Sequence, residues 1–448
     1  MSIRNVCQAD RFSISDNACG GNMFGIKTFI KSHFNRYFFY PHVWQKILDK
    51  RVETLRQKDC ITVAFVTMDV AMWKYQGLYD LLKQDRRFNT YIVLSPTVKF
   101  CRDEMARELQ KMREFFGQRA MPYVDWDLEH GAPPTDILKT LNPDILFYTQ
   151  PGKKVFTSVH SFQHFRNKLL CYSPYGFYMH DKPSLYDRKF LNMAWKLYYF
   201  TDVQKSLAEK YAERRGENVI VSGYPPYEQY TNGPFSDVWK IKDKSVKRIV
   251  WAPHFTISTS LMEGTRARSH FLTMWEMMPK LAKKYEGKIQ IAFKPHPRLL
   301  TELYQHPDWG KERADNYYRM WQHHIDNGQL ETGEFVSLFH GSDALIHDSS
   351  SFLIDYVYFD KPEFFLADDL TSYKLESDEV SLKVYNSVYY GLKEQEICHF
   401  IEDVVIGGND TMKETRNAVL RQHLLPPGGK IASQIIYEDL KRELSPKS

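Results

Sequence analysis

Two short runs in the second half of the chain hold the side-chain types that handle phosphate. The first, Phe293-Lys294-Pro295-His296-Pro297-Arg298, sets an ammonium, an imidazole and a guanidinium within six residues. It follows the apolar run IQIAF, which reads as a buried strand, so the three groups are delivered on a loop at a strand's carboxyl end. Prolines on both sides of His296 restrict the backbone that carries it. Cationic and hydrogen-bonding groups so placed suit a diphosphate. The second run, Gly341 to Tyr356, reads as a strand ending in His347 and Asp348, then a helix opened by Ser349, Ser350 and Ser351, with Asp355 further along it. A helix start offers unpaired N–H groups and the positive end of the helix dipole. Strand, serines and helix together therefore make a phosphate cradle without a glycine-rich loop, although serines there can also be a cap and nothing more.

The elements that must position these groups follow a repeating pattern. From Cys60 onward, apolar runs of strand length (CITVAFVTMD, YIVLSP, MPYVDWD, DILFYTQP, KLLCYSPYG, NVIVSGYPP) alternate with helical stretches, including one near Leu185 to Leu197 and a short one from Asp136 to Leu141. Such alternation marks βαβ units around a parallel sheet buried on both faces. The rhythm breaks in a proline-, glycine- and charge-rich linker and restarts with RIVWAPH, IQIAFKPHP, EFVSLF, SDALIHD and PEFFLAD. The expected architecture is α/β, with a lobe over 59–225, a linker over 226–246 and a second lobe over 247–425. A closing helical segment, 426–448, is long enough to cross back to the first lobe. Two such lobes leave a cleft between the carboxyl ends of two sheets, where ligands bind.

The 448 residues are 43% hydrophobic and 26% charged, the composition of a soluble globular protein. No apolar run reaches membrane-spanning length, and the first residues lack the apolar core of a secretory signal, so a cytoplasmic location is expected. The six cysteines are scattered and read as free thiols. Residues 1–58 hold ten basic side chains against four acidic ones, so this segment carries the whole net charge of +5 and the remainder is close to neutral. It interleaves those charges with Phe24, Phe29, Ile30, Phe34, Tyr37, Phe38 and Trp44. Two readings stand: a peripheral contact with an anionic membrane, or a helix packed on the body of the protein. A near-neutral body offers no basic track for nucleic acid.

The FKPHPR loop, followed some fifty residues later by SDALIHDSSSFLIDYVYFDKPEFF, resembles the CDP-glycerol glycerophosphotransferase family, which includes teichoic acid and capsule polymer enzymes. IVWAPHF looks like the family's segment opening the donor lobe. The resemblance covers roughly 245–370 and implies a GT-B fold, two Rossmann-like lobes facing a cleft. It further implies that His296, Lys294 and Arg298 face the donor diphosphate and that Ser349, Ser350 and Ser351 bind phosphate oxygens. By the same likeness Asp348 and Asp355 order the cradle or the donor polyol, and His254 and His347 lie in the donor site. The family's acceptor-lobe motif carries a histidine, whereas the matching strand end here is Cys171-Tyr172-Ser173-Pro174-Tyr175-Gly176. His180 is the candidate substitute for the base.

The implied activity is transfer of glycerol phosphate, or a related polyol phosphate, from a CDP-activated donor to a hydroxyl of a lipid-linked or oligosaccharide acceptor in bacterial surface-polymer synthesis. Fixed protein charge would stabilise departing CMP, so neither a metal nor a cofactor is expected. Two alternatives stand beside it: a GT-B glycosyltransferase using a nucleotide sugar, and a non-catalytic scaffold of a polymer assembly complex. The Asp125-Trp126-Asp127 sequence has the form of a metal motif but reads as a loop start, and His323, His324 and His340 lack a third ligand. No Walker A, HExxH, GxSxG or GxGxxG pattern is present.

Overall fold

The computed structural model describes residues 28, 30–97, 101–125, 141–152, 161–257 and 268–446. Most of the first 29 residues of the basic segment, Trp126 and Asp127, and the expected helix from Asp136 up to residue 140 lie outside them. Two fully parallel sheets organise the chain. The first contains β1 (Ile61–Thr67), β2 (Phe88–Leu94), β3 (Tyr123–Val124), β4 (Ile145–Tyr148), β5 (Leu169–Tyr172), β6 (Lys196–Tyr199) and β7 (Val219–Val221), in the order β3-β2-β1-β4-β5-β6-β7. The second contains β8 (Lys247–Ala252), β9 (Ile289–Phe293), β10 (Gly328–Leu330), β11 (Ala344–His347), β12 (Glu363–Leu366) and β13 (Tyr389–Gly391), in the order β10-β9-β8-β11-β12-β13. Strands such as ILFY, LLCY and ALIH are buried along their whole length. That is the signature of a parallel sheet covered on both faces, and it explains why they read as unbroken apolar runs.

Four segments depart from the sequence expectation. The stretch near Leu185 to Leu197 is not one helix: it divides into short helices Pro183–Tyr186 and Lys189–Met193, followed by β6. EFVSLF contributes to a helix, Val336–Gly341, whose Leu338 and Phe339 fill the core. The strands β10 and β13 are three-residue edges that carry no alternating pattern.

The carboxyl edges of the two sheets meet at a seam. The segment after β5 pairs with the segment after β12: Asp181 N donates to Glu376 O at 3.1 Å and Asp378 N to Met179 O at 3.0 Å, with His180 and Ser377 bridged antiparallel between them. Lys182 adds an ion pair to Glu376 at 2.6 Å. The helix Ala432–Leu444 lies on the first lobe, where Tyr198 OH donates to Asp439 at 3.0 Å and Lys196 pairs with Glu443 at 2.9 Å. Within the first lobe, the Tyr75 hydroxyl donates to Tyr148 O and accepts from Ser173 N, both at 2.9 Å. One buried phenol thus ties together the loops that follow β1, β4 and β5.

The amino-terminal helical segment has two faces. Its later part, Gln45–Arg56, buries Leu48, Val52 and Leu55 on the first lobe, and the Trp44 indole donates to Met193 O at 3.0 Å. Its earlier part leaves Ile30, Phe34, Tyr37 and Phe38 at least half exposed, spaced as one stripe of a helix.

Candidate functional site

Three loops converge at the carboxyl ends of the neighbouring central strands β9, β8 and β11. Strand order makes this possible, because β8 lies between the strand bearing the KPHPR loop and the strand leading to the serines. The β8 loop is the link. The Asp348 carboxylate accepts from His254 N through Oδ1 and from His270 N through Oδ2, each at 2.6 Å. On the other side, His296 N donates to Pro253 O at 3.0 Å, and the His254 and His296 rings sit 5.1 Å apart, edge to face. The imidazole loop and the serine turn therefore meet around His254.

Each group at this edge has a definite state. His296 Nδ1 accepts from Arg298 N at 3.1 Å, which leaves the ring proton on Nε2. Burial, then the charges of His254, Arg298 and Lys294, push the His296 pKa down to about 3. Burial, Arg268 and Arg298 push His254 down to about 4. Both rings are neutral before a ligand arrives, so they offer hydrogen bonds rather than charge. A bound diphosphate reverses the local field and favours their protonation. Lys294 is buried, with its pKa lowered by desolvation against the fields of Glu334 and Glu331. Arg298 stacks on Phe255, its guanidinium carbon 4.2 Å from the ring centre, and pairs with Glu302 at 2.8 Å. Asp348 is raised to about 6 by burial, against the pull of the two amides that it accepts.

Ser349 occupies the cap position of the helix Ser350–Val357, but its side chain makes no capping bond. Its hydroxyl is not spent as a cap, and Ser350 and Ser351 stand progressively more exposed on the first turn. The amides that open a helix have no partner within it, so this end is suited to an anion.

Two expected donor residues take other roles. His347 is fully buried in the sheet: Nδ1 accepts from Ser349 N at 3.1 Å, and Nε2 lies 2.7 Å from a carboxylate oxygen of Glu363, off the line of a well-formed hydrogen bond. It cannot reach a ligand, and it positions the turn instead. Asp355 is buried as well, its Oδ1 accepting from Tyr224 OH at 2.9 Å and from Tyr230 OH at 2.8 Å. Those phenols belong to the segment connecting the lobes, so Asp355 ties that connection to the cradle helix. His180 lies on the interlobe bridge with Nδ1 3.3 Å from Glu376 O. That carbonyl can only accept, so the geometry puts the proton on Nδ1 and leaves the Nε2 lone pair open. Burial, with Lys182, keeps His180 below its usual pKa. Asp125 is paired with Arg113, and among the described residues no cluster of three or more candidate ligands could hold a metal.

The sequence reading missed the segment after the β8 loop. Arg268 and Ser269 donate through their amides to Thr256 O at 3.1 and 3.2 Å, and Thr256 Oγ1 lies 3.0 Å from His254 Nδ1. Nothing in the spacing of Arg268 relative to the KPHPR and serine runs marks it. Lys74, after β1, was missed as well: it lies in the fields of Asp355 and Glu334 of the second lobe.

With the geometry established, comparison with known proteins becomes informative. The family model described as CDP-Glycerol:Poly(glycerophosphate) glycerophosphotransferase matches residues 197–420, half of the chain, including all three loops of the donor edge. The chain belongs to this glycerophosphotransferase family. Among solved structures, the wall teichoic acid polymerase TagF is similar at 13% identity and a TM-score of 0.56, covering 94% of this chain and 97% of that one. The UDP-GlcNAc 2-epimerase from Neisseria meningitidis is similar at 15% identity and a TM-score of 0.51, covering 85% and 99%. The S. aureus MnaA–UDP structure gives 14% identity and a TM-score of 0.54, covering 87% and 98%. At these identities the likeness shows a shared GT-B-like fold. No curated protein matches the chain. As a glycerophosphotransferase-family enzyme, the protein presents its conserved-fold cleft with the His254, His296 and Ser349 loops at one rim.

Proposed function

We propose that this glycerophosphotransferase moves glycerol phosphate, or a related polyol phosphate, from a CDP-activated donor to a hydroxyl of a lipid-linked or oligosaccharide acceptor. The observation that carries the reading is the junction at His254, which joins the KPHPR loop to the serine turn and so aims imidazole N–H groups, serine hydroxyls and a helix start at one place. The donor reading draws support from the family and from a TagF structure whose title records a CDPG soak.

In this mechanism the acceptor hydroxyl oxygen attacks the phosphorus that bears the polyol. The bond from that phosphorus to the bridging oxygen breaks, its electron pair leaves with CMP, and the proton passes to His180 Nε2. His296 and His254 donate to the diphosphate, while Ser349, Ser350, Ser351 and the helix start hold its oxygens. Lys294 supplies positive charge from below, and Asp348 keeps the His254 loop in register with the serines. Preorganised donors of this kind act without reorganising during the reaction. Incubation with CDP-glycerol and a polyol-phosphate acceptor should release CMP; release of UDP or GDP from sugar nucleotides instead would contradict the donor assignment.

We further propose that the stripe Ile30, Phe34, Tyr37 and Phe38 inserts at an anionic membrane surface, the place where a lipid-linked acceptor is held. Its exposure, beside Lys31 and Arg36, supports this reading, and no helix among the described residues is long and apolar enough to cross a membrane. Deleting residues 1–58 would be a poor test, because Trp44, Leu48 and Val52 belong to the core. Replacing Ile30, Phe34 and Phe38 with serine should abolish co-sedimentation with phosphatidylglycerol vesicles while leaving CMP release from soluble donor intact. Undiminished sedimentation would refute the contact.

A further inference from the structure

The cations at the donor edge are unequally free. Arg298 is held by Glu302 and stacked on Phe255, and Lys294 lies in the fields of Glu334 and Glu331. Arg268 differs. Its amide is fixed to Thr256 O at 3.1 Å, and two residues on, His270 N is fixed to Asp348 at 2.6 Å, so its backbone belongs to the same stitched edge as His254. Its side chain is half-buried, and the guanidinium makes no hydrogen bond or ion pair with a described residue. The nearby carboxylate that feels its charge, Glu376, is already paired with Lys182 at 2.6 Å. The same charge acts on His254 of the donor lobe and on His180 of the acceptor lobe, which puts the guanidinium between the two. Tyr373 and Tyr385, on the segments after β12, also feel it.

A partly desolvated guanidinium without a counter-ion, in a cleft between a candidate base and a candidate phosphate site, is a site for an anion. The planar fork of arginine matches two oxygens of one phosphoryl group. We propose that Arg268 binds the donor's distal phosphoryl group, the one under attack, from the side that faces the acceptor lobe. This rests on the donor reading given above. It assigns to Arg268 the charge that the neutral rings of His254 and His296 do not supply in the free enzyme. As the acceptor oxygen bonds to that phosphorus and the bridging bond breaks, the fork stays on the two equatorial oxygens of the transferred group.

The test compares a nucleoside diphosphate with the matching monophosphate, because only the diphosphate has the distal phosphoryl group. Calorimetric titration of the full chain with CDP and CMP should show CDP favoured. In Arg268→Gln, CDP should weaken by about 10- to 100-fold, the range for losing a charge-assisted hydrogen bond, while CMP stays within about twofold. Arg268→Lys, which keeps the charge and loses the fork, should fall between the two and serves if the glutamine variant fails to fold. Equal weakening of CDP and CMP, as a purely structural role would give, or an unchanged CDP to CMP ratio in the lysine and glutamine variants, overturns the assignment. The same titrations with UDP and UMP separate this from the donor reading. A wild-type preference for uridine would contradict the CDP donor and leave the ratio test intact, whereas a wild type that does not distinguish diphosphate from monophosphate with either base overturns Arg268 itself.

Discussion

Replacing Asp348 with asparagine separates the architecture of the site from its stability. The carboxylate accepts two backbone N–H groups at 2.6 Å, one on each oxygen, and is buried. Asparagine keeps one acceptor and turns an NH2 toward the other amide. The substitution loses one charge-assisted bond, about 1.5–3 kcal/mol, and leaves a buried donor unpaired at about 1–3 kcal/mol. Against this stands the cost of the buried charge. A pKa raised from 3.8 to about 6 corresponds to about 3 kcal/mol at neutral pH, which asparagine does not incur. The opposing contributions nearly cancel, so Asp348→Asn should change unfolding free energy at pH 7 by no more than about 2–3 kcal/mol. Turnover should nevertheless fall at least about tenfold, because the His254 loop loses its register with the serines.

The pH dependence has a fixed sign. Below pH 4 Asp348 is protonated in both states, and between about 4 and 6 the unfolded chain ionises while the folded one keeps its proton. The contribution of Asp348 to stability is therefore present in acid and lost as pH rises through about 6. Denaturant titrations of wild type and variant at pH 4.5, 5.5, 6.5 and 7.5 should show wild type losing up to about 3 kcal/mol relative to the variant across that window. A stability difference that is flat with pH, or a variant with full turnover, would refute the reasoning.

His296→Ala should lower turnover by roughly a hundredfold, as lost oxyanion donors do. The imidazole is already neutral in the free enzyme with a pKa of about 3, so the pH profile of kcat/KM for the donor should keep its shape between pH 5.5 and 8. A limb near pH 6.5 that vanishes in the variant would contradict a neutral ring. Tyr75→Phe removes the hydroxyl that joins Tyr148 O and Ser173 N, leaving two buried backbone groups unpaired. The expected loss is about 2–4 kcal/mol, read as a lower chemical-denaturation midpoint, and an unchanged midpoint would show that the three loops are held together by other contacts.

The long central strands were legible in the sequence because burial on both faces writes them as uninterrupted apolar runs. β1, β9 and β11 stand where ITVAFVT, IQIAF and ALIH placed them. The short strands were not. β6 follows a helical turn with no polar break, and β10 and β13 are three-residue edges held by neighbouring strands rather than by a pattern of their own. Local motifs likewise revealed the loops of His296 and Ser349, since rigid delivery after a strand leaves a mark on consecutive residues. His347 misled because alternation along a strand does not say which face is sealed: its ring points into the core against Glu363. Asp355 misled because its partners, Tyr224 and Tyr230, are more than a hundred residues away. Arg268 was invisible for the same reason, since its neighbours come from three separate segments, and only the folded chain assembles them.

The donor assay tests the central claim most directly. The purified chain is incubated in turn with CDP-glycerol and with UDP- and GDP-sugars, alongside a polyol-phosphate acceptor, and released CMP, UMP, UDP and GDP are resolved separately. CMP from CDP-glycerol, matched one for one by glycerol phosphate added to acceptor and diminished in the His296→Ala protein, is the expected result. UDP or GDP as the released nucleotide, or no nucleotide from any donor, would contradict it.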